Sequence, residues 1–272
     1  MSISATQWGS PSASKRALLL HGLTMCSSSW EGLAQLLTAE GFFVVAPNLL
    51  GHAWRGGSDF RMSAYAKDLL PYFANDTSYD VIMGHSLGGP VALELLPFLP
   101  TKKETTIILV DPALDFNETQ ADTAIQYLSQ ETTTVRTAEE HMAENHAWSR
   151  NDSMLRVLGA GMCNRTVVEQ TVQQNMPWCF GGLFKNIPAN VKITILISDP
   201  KEVSSCDLEK LPRDVEGIKI RIFANTGIGH WMQYECPEII MEEVPLEGKP
   251  ARTLEDQRQK ASRSQQKMMA HM

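Results

Sequence analysis

The chain of 272 residues predicts an α/β fold, a mostly parallel sheet flanked by helices, with a helical cap inserted into it. Three observations carry that prediction. Short runs that are apolar throughout alternate with segments of helical spacing, as expected of strands covered on both faces. A glycine-dense bend joins one of those runs directly to a helical pattern. A long stretch after Asp111 then loses all strand character before the alternation resumes.

The elements follow in order. Ala17 to Leu20 (ALLL) reads as a buried strand ended by His21-Gly22. In WEGLAQLLTAEG, Leu33, Leu36 and Leu37 fall at helical spacing, and Gly41 stops the helix. FFVVAP is a second strand closed by Pro47. MSAYAKDLLPYF is helical until Pro71 breaks or kinks it. The strand DVIMG, a glycine bend and the helix PVALELLPFL come next, with Pro90 in a first turn where no amide is required. TTIILVDPAL and VKITILISDP are further strands, both ending in Asp-Pro, and IKIRIFANTGIGHW is the last.

Between Asp111 and Pro188 helix formers dominate, in ADTAIQYLSQE, TAEEHMAEN, SMLRVLGAGM and RTVVEQTVQQNM. This stretch is too long for a simple crossover. The expected organisation is an N-terminal segment at 1–14, a core at 15–112 and 189–245, a helical cap at 113–188 and a polar tail at 246–272. The tail is expected to be disordered or a loosely attached helix.

Composition narrows the function. With 43% hydrophobic and 20% charged residues the chain is an ordinary globular protein. A formal net charge of −7 argues against non-specific nucleic-acid binding, which needs a basic surface. No apolar run is long enough for a membrane span, and the polar N-terminus lacks the order of a secretory signal. The five cysteines are scattered without a CxxC pair, so neither a zinc site nor a disulfide framework is expected. The expected setting is cytoplasmic, and no metal or organic cofactor is implied. The sequons at Asn75, Asn117, Asn151 and Asn164 are then read as chance.

The chemistry centres on Gly84-His85-Ser86-Leu87-Gly88, a G-x-S-x-G with a strand before it and a helix after it. A serine at so sharp a turn needs strained backbone angles, and its neighbours two residues away must lack side chains. The helix amino end then lies beneath the serine, where its amides favour negative charge. The Leu87 amide would face a developing oxyanion. The pattern fits neither a P-loop nor a dinucleotide fingerprint.

Two further pieces sit where such a serine needs them. His21-Gly22 at the end of an early strand offers a second oxyanion amide, that of Leu23, with His21 itself a buried scaffold residue. His230, in a glycine-containing loop after the last strand, suits a general base. The acid stays open. Asp199 ends the strand ITILIS and is the first choice, Glu202 follows it as the alternative, and Asp111 ends the preceding strand. Among the other histidines, His52 lines the mouth of the site or organises its loop. His85 packs, while His141 and His146 face solvent.

LLLHGLTMCSSSW, GFFVVAPNLLGH, IMGHSLGGPVALEL, ITILISDP and GIGHWMQYECPE together resemble the α/β-hydrolase superfamily, in the expected order over about residues 15 to 245. The resemblance implies a serine hydrolase with Ser86 as nucleophile, His230 as base, and the Leu23 and Leu87 amides binding the oxyanion. The serine sets it apart from the dehalogenase and epoxide hydrolase branches, which carry aspartate there. Two departures stand out: relatives often have aspartate where this chain has Asn48, and glycine where it has Ala53. Relatives often end the strand before the acid as Gly-Asp-x-Asp, which aligns the acid with Glu202, whereas an Asp-Pro variant favours Asp199.

The expected substrate is a small, largely apolar carboxylic ester, lactone or thioester, cleaved through an acyl-enzyme. Trp148, Trp178 and Phe180 are candidate pocket residues in the cap, alongside Met154, Met162, Met176 and Phe184. Any of them could instead glue the cap to the core. An acyltransferase, a C–C bond hydrolase on the same residues, or a non-catalytic binding protein remain the alternatives.

Overall fold

The computed structural model describes residues 4–134, 136–202 and 205–246. Seven strands form one sheet in the order β1-β3-β2-β4-β5-β6-β7. They are β1 (Ala5–Trp8), β2 (Lys15–Leu20), β3 (Phe42–Pro47), β4 (Val81–His85), β5 (Thr105–Val110), β6 (Val191–Ile197) and β7 (Ile218–Ile222). β2 to β7 run parallel; β1 alone is antiparallel, pairing Ala5 with Pro47 and Trp8 with Val44. The N-terminal segment expected to lie outside the core therefore supplies an edge strand. Its sequence, ATQW, is too short and too weakly alternating to announce one.

Side-chain alternation divides the core into two apolar layers. Leu18, Leu20, Ile82, Ile107 and Leu109 face α2 (Met62–Leu69) and α3 (Gly88–Glu94). Ala17, Leu19, Met83, Ile108 and Val110 face α1 (Glu31–Ala39) and a later helix, Pro237–Met241. Each central strand is buried on both sides, which is why these runs are apolar without interruption. Pro71 ends α2 as expected, the chain passing into a 3-10 turn from Leu70.

Four helices follow β5: α4 (Glu118–Thr133), α5 (Ala138–Glu144), α6 (Arg150–Gly161) and α7 (Arg165–Gln173). Each begins on a side chain that accepts an amide of the first turn, from Asn117, Thr137, Ser149 and Asn164 in order. Two of the sequon asparagines are thus helix caps. Val167, Val168, Val172 and Trp178 join the same apolar cluster as Leu18 and Ile82, so the insertion shares the core of the sheet. Two short helices, α8 (Met232–Glu235) and α9 (Pro237–Met241), close the described chain. The polar tail falls outside the described residues from 247 onward. Among the described residues, no helix is long and apolar enough to cross a membrane.

The register places the site. Leu20 pairs with Gly84, and His85 with Val110, so β2, β4 and β5 end level with one another. The strand order reverses between β2 and β4, the place at which open parallel sheets bind ligands. Gly22–Leu23, Ser86 and Asp111 all follow closely on the ends of β2, β4 and β5.

Candidate active site

Ser86 occupies a left-handed backbone conformation, with φ of 50°. For a residue with a side chain this is a strained state, tolerated when the surroundings over-determine it. Here they do. The Ser86 amide donates to the Val110 carbonyl, and the Ser86 carbonyl accepts from the amides of Gly89 and Ala113. The flanking glycines are a steric requirement. A Cβ on Gly84 would lie 2.2 Å from the Gly88 carbonyl oxygen, and one on Gly88 would lie 2.1 Å from that of Leu20.

The loop after β2 presses on this elbow. A Cβ on Gly22 would meet His85 Nδ1 at 2.9 Å and Ser86 Cβ at 3.2 Å. Leu23 and Leu87 therefore flank the serine from two loops, and among the described residues neither amide is taken up by another group. His21 and His52 organise these loops. His21 Nε2 accepts the Leu49 amide while its Nδ1 donates to the Gly22 carbonyl. His52 Nε2 accepts the Thr24 amide and its Nδ1 donates to the Leu50 carbonyl, so His52 serves its loop rather than the mouth of a site. Asn48, where relatives often carry aspartate, accepts the Ser27 amide and donates to Ser4 Oγ. Ala53, in place of glycine, keeps the left-handed φ of 49°.

His230 lies against His85, the residue before Ser86. Its ring centroid is 4.6 Å from that of His85, whose Nε2 donates to the His230 carbonyl at 2.9 Å. Burial, reinforced by His230 nearby, pushes the His85 pKa well below its ordinary value, so His85 is a neutral donor. The Gly229 amide is held by Glu235, which fixes the loop on the other side.

The carboxylate that meets His230 differs from the one the sequence favoured. His230 Nδ1 donates to Asp111 Oδ2 at 2.6 Å, not to Asp199 or Glu202. Asp111 is fully buried at the end of β5, itself left-handed at φ of 39°, and its Oδ1 accepts the Ser198 amide. Ser205 Oγ stands 3.2 Å from the same His230 nitrogen. Asp199 spends its oxygens elsewhere: Oδ2 accepts the amides of Thr226 and Gly227, and Oδ1 that of Lys201. The Gly227 amide, ahead of the other backbone donors, holds the Asp199 carboxyl below its ordinary pKa. Asp199 thus anchors the loop that carries His230. Glu202 is exposed in the turn that follows, its amide donating to the Asp199 carbonyl.

The three aromatic residues expected at the pocket are packed against other side chains. Trp148 is 4% exposed, edge-on to Trp231 and Tyr234 in a small aromatic cluster with Met25. Trp178 is 2% exposed and stacks on Phe116, and its Nε1 donates to the Ala113 carbonyl. Phe180 packs edge-on against Trp178, and its amide donates to Leu114. Trp178 and Phe180 thus pack on the segment just after Asp111. His141, expected in solvent, is buried and stacked on Trp148, whereas His146 is exposed.

Comparisons with known proteins agree with this architecture. Residues 17–243 match the model of the alpha/beta hydrolase family. An uncharacterized protein of Mycobacterium tuberculosis is 37% identical over 97 residues, 34% of this chain and 28% of that protein. Lipase LipV of the same organism is 32% identical over 108 residues, 38% of this chain and 40% of the lipase. The chain thus spans well under half the length of these curated relatives. An esterase from Exiguobacterium antarcticum superposes with a TM-score of 0.68 at 16% identity, covering 89% of this chain and 95% of the esterase, which shows a shared fold. With a sheet, elbow and strand order of this kind matched over residues 17–243, the chain belongs to the alpha/beta hydrolase family.

Proposed function

We propose that the protein is a serine hydrolase that cleaves a carboxylic ester, lactone or thioester of a largely apolar substrate. The observation that carries this reading is the Asp111–His230 pair together with a serine in the left-handed elbow, whose neighbour His85 holds the His230 carbonyl. A proton on His230 Nδ1, donated to Asp111, leaves Nε2 unprotonated and able to take the Ser86 proton. Ser86 Oγ then attacks the carbonyl carbon, and the Leu23 and Leu87 amides bind the oxygen as it gains charge. Collapse breaks the bond to the leaving alkoxide or thiolate, which takes the proton from His230 and leaves an acyl-serine. Water, deprotonated by His230, attacks the acyl-serine; its collapse returns the proton to Ser86 and frees the acid.

Asp111 orients the imidazole and stabilises its protonated form. The helices α4 to α7 serve as the cap that selects the substrate. The names borne by similar proteins, lipase and esterase among them, favour an ester.

A fluorophosphonate probe tests the reading. Labelling of the wild type, lost in Ser86→Ala, together with turnover of p-nitrophenyl acetate or butyrate, is the expected result. Labelling that persists in Ser86→Ala would sink it.

A further inference from the structure

Arg156, on α6, is only 1% exposed, although no part of the chemistry above uses it. A buried guanidinium is costly unless every face of it finds a partner. Its partners here are specific. Nη1 donates to the Thr24 carbonyl at 2.8 Å and to Thr24 Oγ1 at 2.9 Å. Nη2 donates to Glu131 Oε2 on α4 at 2.8 Å, pairing the charge. The guanidinium carbon lies 5.7 Å from the centre of the Trp231 ring, next to His230.

Thr24 explains why the grip matters. The Met25 amide donates to the Gly22 carbonyl, closing a tight turn over residues 22–25 with Leu23 and Thr24 at its centre. Thr24 has φ of 60°, a conformation that a β-branched residue rarely adopts and that glycine or asparagine normally supplies. The turn is therefore strained and must be held from outside. His52 takes the Thr24 amide, while Arg156 takes its carbonyl and hydroxyl. One turn further along α6, Gly159 lets the helix close on the same loop: a Cβ there would lie 3.0 Å from the Thr24 oxygen and 2.9 Å from Met25 Cα.

We propose that Arg156 is a positioning residue for the oxyanion pocket. From the helical insertion it fixes the strained turn at Thr24, and with it the direction of the Leu23 N–H, while braced by Glu131 and Trp231. The insertion then sets the competence of the catalytic machinery as well as covering it. This inference rests on the serine hydrolase reading above.

The test compares wild type with the double variant Arg156→Met, Glu131→Gln, which removes both charges so that neither is left buried alone. Fluorophosphonate titration gives the concentration of competent sites, and every rate is expressed per titrated site. The expected result is a kcat about tenfold or more lower, toward the loss seen when an oxyanion donor is removed, with KM little changed. Affinity for a trifluoromethyl ketone, whose adduct carries the oxyanion, should fall by a similar factor. Unchanged kcat per titrated site and unchanged ketone affinity would overturn the proposal and leave Arg156 a scaffold residue. If the double variant does not fold, Arg156→Lys carries the same comparison, because lysine lacks the planar fork that reaches Thr24 and Glu131 together. A wild type that takes neither probe nor ester would instead defeat the hydrolase reading itself.

Discussion

His230 Nδ1 and Asp111 Oδ2 lie 2.6 Å apart although 119 residues separate them in sequence. His230, in the loop after β7, is paired with a carboxylate at the end of β5, the strand hydrogen-bonded to the one that precedes Ser86. Asp199, at the end of β6, supports the base loop from behind.

Asp111→Asn and Asp199→Asn should therefore separate. An asparagine at 111 favours the wrong imidazole tautomer, and kcat is expected to fall by about 10⁴-fold. Asparagine at 199 weakens the contacts to the Thr226 and Gly227 amides, so the melting temperature should drop while kcat per folded molecule stays near wild type. Steady-state kinetics with thermal unfolding on both variants decides it; the reverse pattern would return the acid to Asp199.

Gly88→Ala should not fold stably. The added methyl would sit 2.1 Å from the Leu20 carbonyl oxygen, a backbone atom that cannot step aside. A loss of about 3 kcal/mol or more in urea unfolding is expected. Gly161→Ala, with nothing within 4 Å of its Cβ at the end of α6, should be neutral or gain up to about 1 kcal/mol.

Acid should destabilise the fold before carboxylates titrate. Burial lowers the pKa of His52 to about 4 and drives those of His21 and His85 well below their ordinary value. An unfolded imidazole titrates near 6.5, so above that pH both states are neutral and nothing is lost. As pH falls below 6.5 the unfolded chain binds protons that the folded chain refuses. Each such histidine then costs about 1.4 kcal/mol per pH unit, for His52 down to about pH 4. Urea midpoints measured from pH 7.5 to 4.5 should decline, with a shallower slope in His52→Gln. A flat profile would contradict the burial argument.

Trp178→Phe should cost about 1–3 kcal/mol of stability, because it leaves the buried Ala113 carbonyl without its donor. If Trp178 lined the substrate pocket instead, the same change would shift KM among p-nitrophenyl esters of different chain length with little effect on unfolding. Measuring both properties on one variant distinguishes packing from recognition.

The succession of parallel strands along the chain and the glycine bend were legible because burial on two faces leaves long apolar runs, and because a crowded elbow tolerates only glycine. The acid was not. Asp111 and Asp199 each end a buried strand and each precede proline, so local sequence is the same at both. What separates them is which one faces His230, a matter of loop path over the top of the sheet. Trp148 and Trp178 illustrate a related limit: an aromatic residue in a helical insertion has the same spacing whether it lines a cavity or seals one. β1 escaped notice because an edge strand of four residues carries too little alternation. Arg156 offered no signal at all, since a lone arginine at helical spacing reads as a solvated side chain until its burial is known.

Ser86, Asp111 and the turn bearing Leu23 all come from residues 22–111, before the first helix of the insertion at Glu118. The insertion can change length without altering the sequence spacing between Ser86 and Asp111. His230, the grip on Thr24 and the contacts of Val167, Val168, Val172 and Trp178 with the sheet must be kept in step. On the hydrolase reading proposed above, such an arrangement gives evolution, or an engineer, a set of helices whose outer parts are free to vary while Ser86 and Asp111 stay anchored in the sheet.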